Sequence, residues 1–198
     1  MQTNNPKEKV RQLQNKLYLT AKKCGSRRFH ALYDKVYRDD VLYEAWKRVK
    51  ANKGSNGIDG IAIEDIEAKG VERYLTRIQS ELKSGTYRPL PVRRVMIPKS
   101  DGSQRPLGIP CVKDRIVQMA TKIAIEPVFE ADFKDCSYGF RPKRSAKQAL
   151  EVVRKACNNK GYYVVDADIE KFFDNVNQDK LMTLIELRIS DRRILKLI

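Results

Sequence analysis

The spacing of the apolar residues changes once along this 198-residue chain, and this change limits the folds that are open to it. Up to Ser84 apolar side chains recur every three or four residues, which predicts helices over residues 7–23, 39–51 and 64–84. From Tyr87 the stretch VRRVMIP alternates, KSDGSQ contains the Asp-Gly dipeptide of a tight turn, and RPLGIP is typical of a returning strand. The pattern predicts an α+β fold in which a β-hairpin follows a set of helices.

The second half of the chain continues this mixture of helices and strands. Helical spacing returns over residues 114–129, 145–156 and 178–187, and YYVVDADI at 162–169 has the apolar residues of a buried strand. The glycine-rich stretch NKGSNGIDG (52–60) is interpreted as a structural turn, because it lacks the Gly-Lys-Ser/Thr ending of a phosphate-binding loop. The last residues, DRRILKLI, continue an apolar helical stripe without a stop signal. We therefore expect a fragment of a longer chain.

The net charge of +15 is concentrated in two blocks. Residues 1–50 hold 13 Lys/Arg against 5 Asp/Glu, and residues 83–122 hold 9 against 2. Two basic blocks with interleaved tyrosines are typical of a surface that binds a polyanion, most simply nucleic acid. A membrane surface fits less well, because no basic amphipathic helix has a strong Trp/Phe/Leu face. Since the sequence contains neither a membrane-spanning run nor a signal peptide, we expect a cytoplasmic protein with no membrane partner.

The cysteines and the histidine argue against two classes of enzyme. The four cysteines are far apart, with no Cys-x-x-Cys pair, and His30 is the single histidine. A zinc site needs clustered ligands, and triad chemistry needs a histidine base. We expect reduced and mostly buried thiols.

The stretch VVDADIEKFFDNV places carboxylates in a hydrophobic strand of a basic chain. Side chains alternate along a strand, so Asp166 and Asp168 are predicted to share one face with Val164. Two carboxylates on one face repel each other unless a cation lies between them, and Mg²⁺ prefers such hard oxygen ligands. Alternatively, Asp166 or Asp174 caps a turn or pairs with an arginine. That role suits Asp168 less, because the strand around it has the pattern of a central, buried one.

The predicted hairpin places Lys99 and Arg105 on opposite arms of one tight turn, where both cations could reach the same anion. Lysine offers a point charge and arginine a bidentate fork, a combination that suits a triphosphate. Alternatively, the charges only keep an exposed hairpin edge from pairing with other sheets. Composition does not decide between these two interpretations.

Four blocks, in this order and spacing, resemble the N-terminal part of bacterial group II intron-encoded reverse transcriptases, or maturases. The blocks are GSNGIDG, IPKSDGSQRPLGIPCVKDRIVQ, SYGFRPKRSAKQAL and DADIEKFFDNV, and the resemblance extends from about Leu32 onward. It implies a right-hand polymerase with fingers made of helices and a hairpin. Residues 1–52 would then be basic, RNA-binding N-terminal helices, 53–160 the fingers and 161–198 the start of the palm.

The resemblance also implies roles for individual residues in and after the last block. Asp168 matches the first aspartate that binds catalytic Mg²⁺, and the backbone carbonyl of Ile169 would be a second ligand. Phe173 matches the aromatic gate that blocks a ribose 2′-hydroxyl and thereby selects deoxynucleotides.

Three cations match positions that contact substrate or template in this family. Lys99 and Arg105 match the finger cations that hold the incoming deoxynucleoside triphosphate. Arg115 lies in a stretch associated with the templating strand. The partners that the resemblance implies are an RNA template or intron RNA, a DNA primer and deoxynucleoside triphosphates.

One departure from the family pattern limits these expectations. The Tyr-Ala-Asp-Asp motif, which supplies the remaining catalytic carboxylates, appears nowhere in the sequence, so the chain is expected to be inactive alone. An alternative is an intron-RNA-binding module that acts through its basic N-terminal helices, including Lys22, Lys23, Arg27 and Arg28. A third is a homodimerising domain, for which the sequence offers only the apolar stripe at its end.

Overall fold

The computed structural model describes residues 5–98, 102–158 and 163–198 and is mostly helical, with one antiparallel β-hairpin. The elements within these ranges are α1 (Pro6–Lys23), α2 (Tyr33–Val36), α3 (Asp39–Ala51), α4 (Ile63–Lys69), α5 (Val71–Ser84), β1 (Arg93–Pro98), β2 (Gln104–Ile109), α6 (Val112–Glu130), α7 (Ala146–Asn158), α8 (Phe172–Asn175), α9 (Gln178–Glu186) and α10 (Arg192–Leu195). Among the described helices, none is long and apolar enough to cross a bilayer.

Helix α6 lies at the centre of the hydrophobic core, and α1, α2 and α3 pack against it. Its apolar residues are distributed around much of its circumference, as expected for a helix with neighbours on several sides. The buried ones are Val112, Ile116, Val117, Ala120, Ile123, Ala124, Pro127 and Val128. Opposite them, α1 buries one stripe through Val10, Leu17 and Ala21.

Five of the six predicted helices are present with bounds within a few residues of those expected. The single helix predicted over residues 64–84 is wrong, because the chain forms α4 and α5 with a break at Gly70. The φ angle of Gly70 is +97°, a left-handed conformation that glycine adopts without a Cβ clash. Helix α2 was not predicted, since four residues are too few to show a helical period.

The predicted hairpin is confirmed. Strand β1 pairs with β2 in antiparallel register, from Arg93 opposite Ile109 at the base to Pro98 opposite Gln104 towards the turn. Side chains of β1 alternate between half-buried and exposed, as its sequence pattern predicts. The turn at residues 99–101 lies outside the described residues.

The strand predicted over residues 162–169 is wrong for the part that the structure describes. Residues 163–169 have no regular secondary structure, and Val164 and Val165 are 79% and 93% exposed. A strand gains stability from hydrogen bonds to a neighbouring strand and from burial of one face. Strands β1 and β2 pair with each other, so the described part of the chain offers this segment no partner.

The prediction of mostly buried thiols is also wrong. Only Cys111 is buried, and this burial raises the pKa of its thiol. All four cysteines are free, and the exposed ones are Cys24, Cys136 and Cys157.

The C-terminal segment (residues 186–198) packs against the end of α1 and the loop that follows it. Ile189 and Ile194 are fully buried there, and Ile189 forms a parallel β-bridge with Phe29. Arg188 is buried too, and its Nε lies 2.8 Å from Oδ2 of Asp132. Its guanidinium donates hydrogen bonds to the backbone carbonyls of Ala21, Cys24, Gly25 and Arg27.

Asp191 connects this C-terminal segment to α2. One carboxylate oxygen accepts hydrogen bonds from the backbone N–H groups of Leu32 (2.9 Å) and Tyr33 (2.8 Å). The other accepts from the N–H of Arg193 (3.1 Å) and so caps α10. Burial by itself raises the pKa of this carboxyl, but the backbone hydrogen bonds outweigh it, and the pKa lies below its ordinary value.

Replacing Asp191 with alanine is expected to lower the free energy of unfolding by about 2–4 kcal/mol, because a cap is lost and buried N–H groups lose their acceptor. The folded-state pKa is lowered, so the stabilisation is present above the unfolded pKa of about 4 and is lost as the pH falls through the folded value. Urea unfolding at about pH 7 and about pH 3 measures both effects, and the variant should lose less stability on acidification than the parent chain.

Asn177→Ala is the matched control for this prediction. Asn177 caps α9 by accepting a hydrogen bond from the N–H of Lys180 (2.9 Å), but both residues are exposed. Its replacement is expected to cost only about 1 kcal/mol. Equal losses in the two variants would contradict the connecting role of Asp191.

Candidate functional site

The base of the hairpin is attached to the first turn of α6 by a buried carboxylate. Asp114 is 2% exposed, and it accepts hydrogen bonds from Oη of Tyr87 (2.7 Å) and the N–H of Leu90 (3.1 Å). Burial, together with the hydrogen bond to Asp114, raises the pKa of the Tyr87 hydroxyl well above its ordinary value. These contacts fix the approach to β1 relative to α6.

The glycine-rich stretch 52–60 forms a loop that packs against the start of α6, in agreement with the predicted turn. Gly57 is buried, and a Cβ atom built on it would lie 2.6 Å from the backbone N and Cα of Cys111. Only glycine permits this approach. The side-chain amide of Asn56 closes the loop by donating to the carbonyl of Gly60 (3.1 Å).

Two arginines from different elements donate to consecutive carbonyls of this loop. Nη2 of Arg115, on α6, donates to the carbonyl of Ser55. Nε of Arg93, at the start of β1, donates to the carbonyl of Asn56 at 3.1 Å. Both side chains are half-buried. The family resemblance singled out Arg115, whereas Arg93 was missed because its partner is a backbone group distant in sequence.

The two cations predicted on the hairpin arms differ in how far they can be described. Arg105 is exposed on β2, directly opposite Ile97. Lys99 lies outside the described residues. The proximity of their two charges therefore stays a prediction.

The predicted metal-binding and gate residues lie on the exposed segment 163–176. Asp168 is exposed, Ile169 is 67% exposed and Phe173 is 86% exposed. The ring of Phe173 contacts Phe172 edge to face, with centroids 5.4 Å apart. Within the described ranges no hydrogen bond or ion pair joins this segment to the hairpin, so the structure does not bring Asp168 into contact with Arg105.

The carboxylates of the described residues were tested as ligands for the Mg²⁺ that the family resemblance implies. Asp168 has the hard oxygen donors that Mg²⁺ prefers. However, no three His, Cys, Asp or Glu side chains of the described part come together as a ligand cluster. These residues therefore do not form a complete site, and Asp168 fits only as one contributor to it.

The four basic residues predicted to bind RNA lie at the end of α1 and in the loop after it. Nζ of Lys22 donates to the carbonyl of Ala131 (3.0 Å), so its charge is partly committed. Lys23 and Arg28 are exposed, and the exposed Arg27 lies over the Phe29 ring at 5.8 Å. Arg188 holds the carbonyls of this loop, a contact that the sequence pattern gave no signal for because it joins residues more than 160 positions apart.

Comparisons with known proteins bear on what this arrangement can do. Residues 97–196 match the family described as Reverse transcriptase (RNA-dependent DNA polymerase). The chain is 39% identical over 196 residues to Protein YkfC of Escherichia coli K12. It is 38% identical over 171 residues to Group II intron-encoded protein LtrA of Lactococcus lactis subsp. cremoris, and 33% identical over 90 residues to Nuclear intron maturase 1, mitochondrial, of Arabidopsis thaliana.

These matches cover more of this chain than of the relatives. The match to YkfC covers 96% of this chain and 51% of YkfC, and the match to LtrA covers 86% and 28%. The corresponding shares for the Arabidopsis protein are 45% and 12%. The chain thus spans about half the length of YkfC and a smaller part of the other two.

Proposed function

The chain belongs to the reverse transcriptase family, as its sequence blocks suggested, and from this membership we propose that it forms the N-terminal part of a group II intron RNA-directed DNA polymerase that also assists intron splicing. In this proposal residues 1–52 bind RNA, 53–160 are the fingers and 161–198 begin the palm. The observation that carries it is the family match over residues 97–196, which contains the proposed substrate-binding and metal-binding positions. Likeness to the intron-encoded protein LtrA favours the intron-associated branch.

We assign Asp168 and the backbone carbonyl of Ile169 to the binding of Mg²⁺. When bound, Mg²⁺ supplies positive charge that neutralises phosphate oxygens during phosphoryl transfer. The contribution of Asp168 is to hold that charge at the end of the palm segment. The remaining ligands of a complete site would have to come from groups outside the described residues.

The other site residues position the nucleotide and the strands. Lys99 and Arg105 would bind the triphosphate of the incoming deoxynucleotide, an interaction that suits a point charge beside a bidentate fork. Phe173 would occupy the space of a ribose 2′-hydroxyl. Arg115 would contact the templating RNA, whose backbone presents phosphates to a half-buried guanidinium.

A second candidate function is binding of intron RNA without polymerisation. It is favoured by the excess of Lys/Arg in residues 1–50 and by the exposure of Lys23, Arg27 and Arg28. The two functions are compatible in one protein, but they differ in their need for Mg²⁺. Binding in EDTA supports the RNA-binding function, and Mg²⁺-dependent binding of a deoxynucleoside triphosphate supports the polymerase function.

A third candidate is a homodimer formed through exposed apolar surface. The large exposed side chains in the last third of the chain include Leu150, Val153, Leu181, Leu184 and Leu187. Exposed apolar patches are frequent sites of association between proteins. Sedimentation analysis of the chain over a range of concentrations distinguishes a dimer from a monomer.

Asp168→Asn is expected to lower primer extension at least about a thousandfold, because several kcal/mol of charge stabilisation depend on the metal. The measurement is extension of a DNA primer on RNA by a polypeptide in which this sequence continues through a Tyr-Ala-Asp-Asp motif. RNA affinity should remain nearly unchanged, since no phosphate contact is lost. Asp166→Asn is the control and should have a milder effect. Near-normal extension by Asp168→Asn would refute the assignment.

Phe173→Ala is expected to let ribonucleotides compete, lowering the deoxy/ribo discrimination on the order of tenfold or more, because the ring no longer blocks a 2′-hydroxyl. The measurement is incorporation of each nucleotide by the same longer polypeptide. The matched control is Phe172→Ala, which removes the neighbouring ring and should leave discrimination intact. If Phe173→Ala discriminates as well as the parent, the residue is not the gate.

The 198-residue chain is expected to bind structured RNA in EDTA, with an affinity that falls steeply with salt. Each phosphate neutralised contributes about 0.7–0.9 to the slope of log K against log salt. Replacing Lys22, Lys23, Arg27 and Arg28 together by alanine should flatten this slope, whereas Lys99→Ala should scarcely alter it. Filter binding over a salt series measures the slope. An unchanged slope in the quadruple variant would mean that these charges only solubilise the helices.

A further inference from the structure

The loop at residues 54–57 brings together two positive charges that lie far apart in the sequence. Arg93 is the first residue of β1 and pairs with Ile109 at the base of the hairpin. Only two residues separate the end of β2 from α6, so Arg93 lies beside the turn that carries Arg115. The two guanidiniums then donate to consecutive carbonyls, those of Ser55 and Asn56.

This pair of cations has no acidic partner in the part of the chain that the structure describes. Neither arginine appears in an ion pair there, although the same ranges contain pairs such as Lys113–Glu81 at 3.1 Å. The carbonyls accept hydrogen bonds but carry no net charge. Half-buried like charges held close together raise the electrostatic energy of the site, which an anion would relieve.

We propose that Arg93 and Arg115 form a phosphate-binding pair for the backbone of a nucleic-acid strand, and that Gly54 determines where the Arg115 guanidinium lies. The assignment of Arg115 to the templating strand comes from the proposed function, and the inference rests on it. Arg93 and the loop are additions to it. Arginine suits this ligand, because its planar fork can donate two hydrogen bonds to one phosphate.

Gly54 controls the position of Arg115 by its lack of a side chain. A Cβ atom on residue 54 would overlap Nη1 of Arg115. Nη1 is the far end of a flexible side chain, so the guanidinium can move aside at little cost in stability. Nε of Arg115 is buried without a hydrogen-bond partner, so the donation to Ser55 is the hydrogen bond that would be lost. Gly54→Ala therefore displaces a charge without removing it.

The experiment measures binding of an unstructured oligouridylate RNA to the 198-residue chain in EDTA over a salt series. The variants are Arg93→Gln, Arg115→Gln, which keep an amide donor for the loop carbonyls, and Gly54→Ala. Gly139→Ala is the control, since a Cβ atom there meets no other atom within 4 Å. Each glutamine variant should lower the salt slope by about 0.7, the value for one phosphate contact on a single strand.

Gly54→Ala should lower the slope as much as Arg115→Gln does, and the double variant should show no further decrease. Thermal unfolding of Gly54→Ala and Gly139→Ala should match the parent chain, which separates a displaced guanidinium from a damaged fold. An unchanged slope in Arg115→Gln would overturn the template role in the proposed function. A decrease in Arg115→Gln with none in Arg93→Gln would overturn the pair. A decrease in both with none in Gly54→Ala would overturn the role of Gly54.

Discussion

Helix α6 loses most of its contact with solvent when α1, α2 and α3 pack around it, and this burial of apolar surface underlies the remaining structure. Side chains such as Ile116, Ile123 and Val128 are fully buried. Each contributes about 1.5–3 kcal/mol relative to exposure, which makes the helix a fixed reference for the elements attached to it. The hairpin, the glycine-rich loop and α1 all take their positions from α6.

Polar groups at the start of α6 convert this fixed position into a functional arrangement. Asp114 is buried and must be hydrogen-bonded, and Tyr87 and Leu90 satisfy it from the approach to β1. One residue further on, Arg115 projects to the glycine-rich loop, where Arg93 arrives from the other side. The same turn of helix therefore anchors the hairpin and presents a pair of cations.

The C-terminal segment shows how buried polar contacts can join parts of the chain that are distant in sequence. Arg188 satisfies carbonyls of the loop after α1, and Asp191 satisfies N–H groups at the start of α2. Because each contact replaces water around a buried group, loss of either partner would leave an unsatisfied donor or acceptor. The basic loop that carries Arg27 and Arg28 is held in place by these contacts.

The segment 163–176 contrasts with these packed regions. Its apolar residues predict a central strand, but a strand forms only with a hydrogen-bonding neighbour, and burial depends on what covers it. In the described residues neither is present, and Val165, Asp168 and Phe173 are exposed. The sequence pattern therefore records an environment that this part of the chain does not itself create.

The sequence by itself determined the features that depend on neighbouring residues. Helical spacing, the Asp-Gly turn and strand alternation predicted most helices and the hairpin, because these patterns reflect local backbone geometry and the side-chain period. The four blocks also predicted membership of the reverse transcriptase family, which the comparisons confirm. Charge counting located the basic blocks, since net charge is a property of composition.

Tertiary structure alone decided the features that depend on contacts between distant residues. The break at Gly70 could have been anticipated only from its backbone angle, because glycine is tolerated within helical patterns as well. The pairing of Arg93 with Arg115, and the links made by Arg188 and Asp191, use backbone groups as partners. Every residue carries such groups, so sequence gives no sign of which ones will meet, and only the packing of α6 and its neighbours selects them.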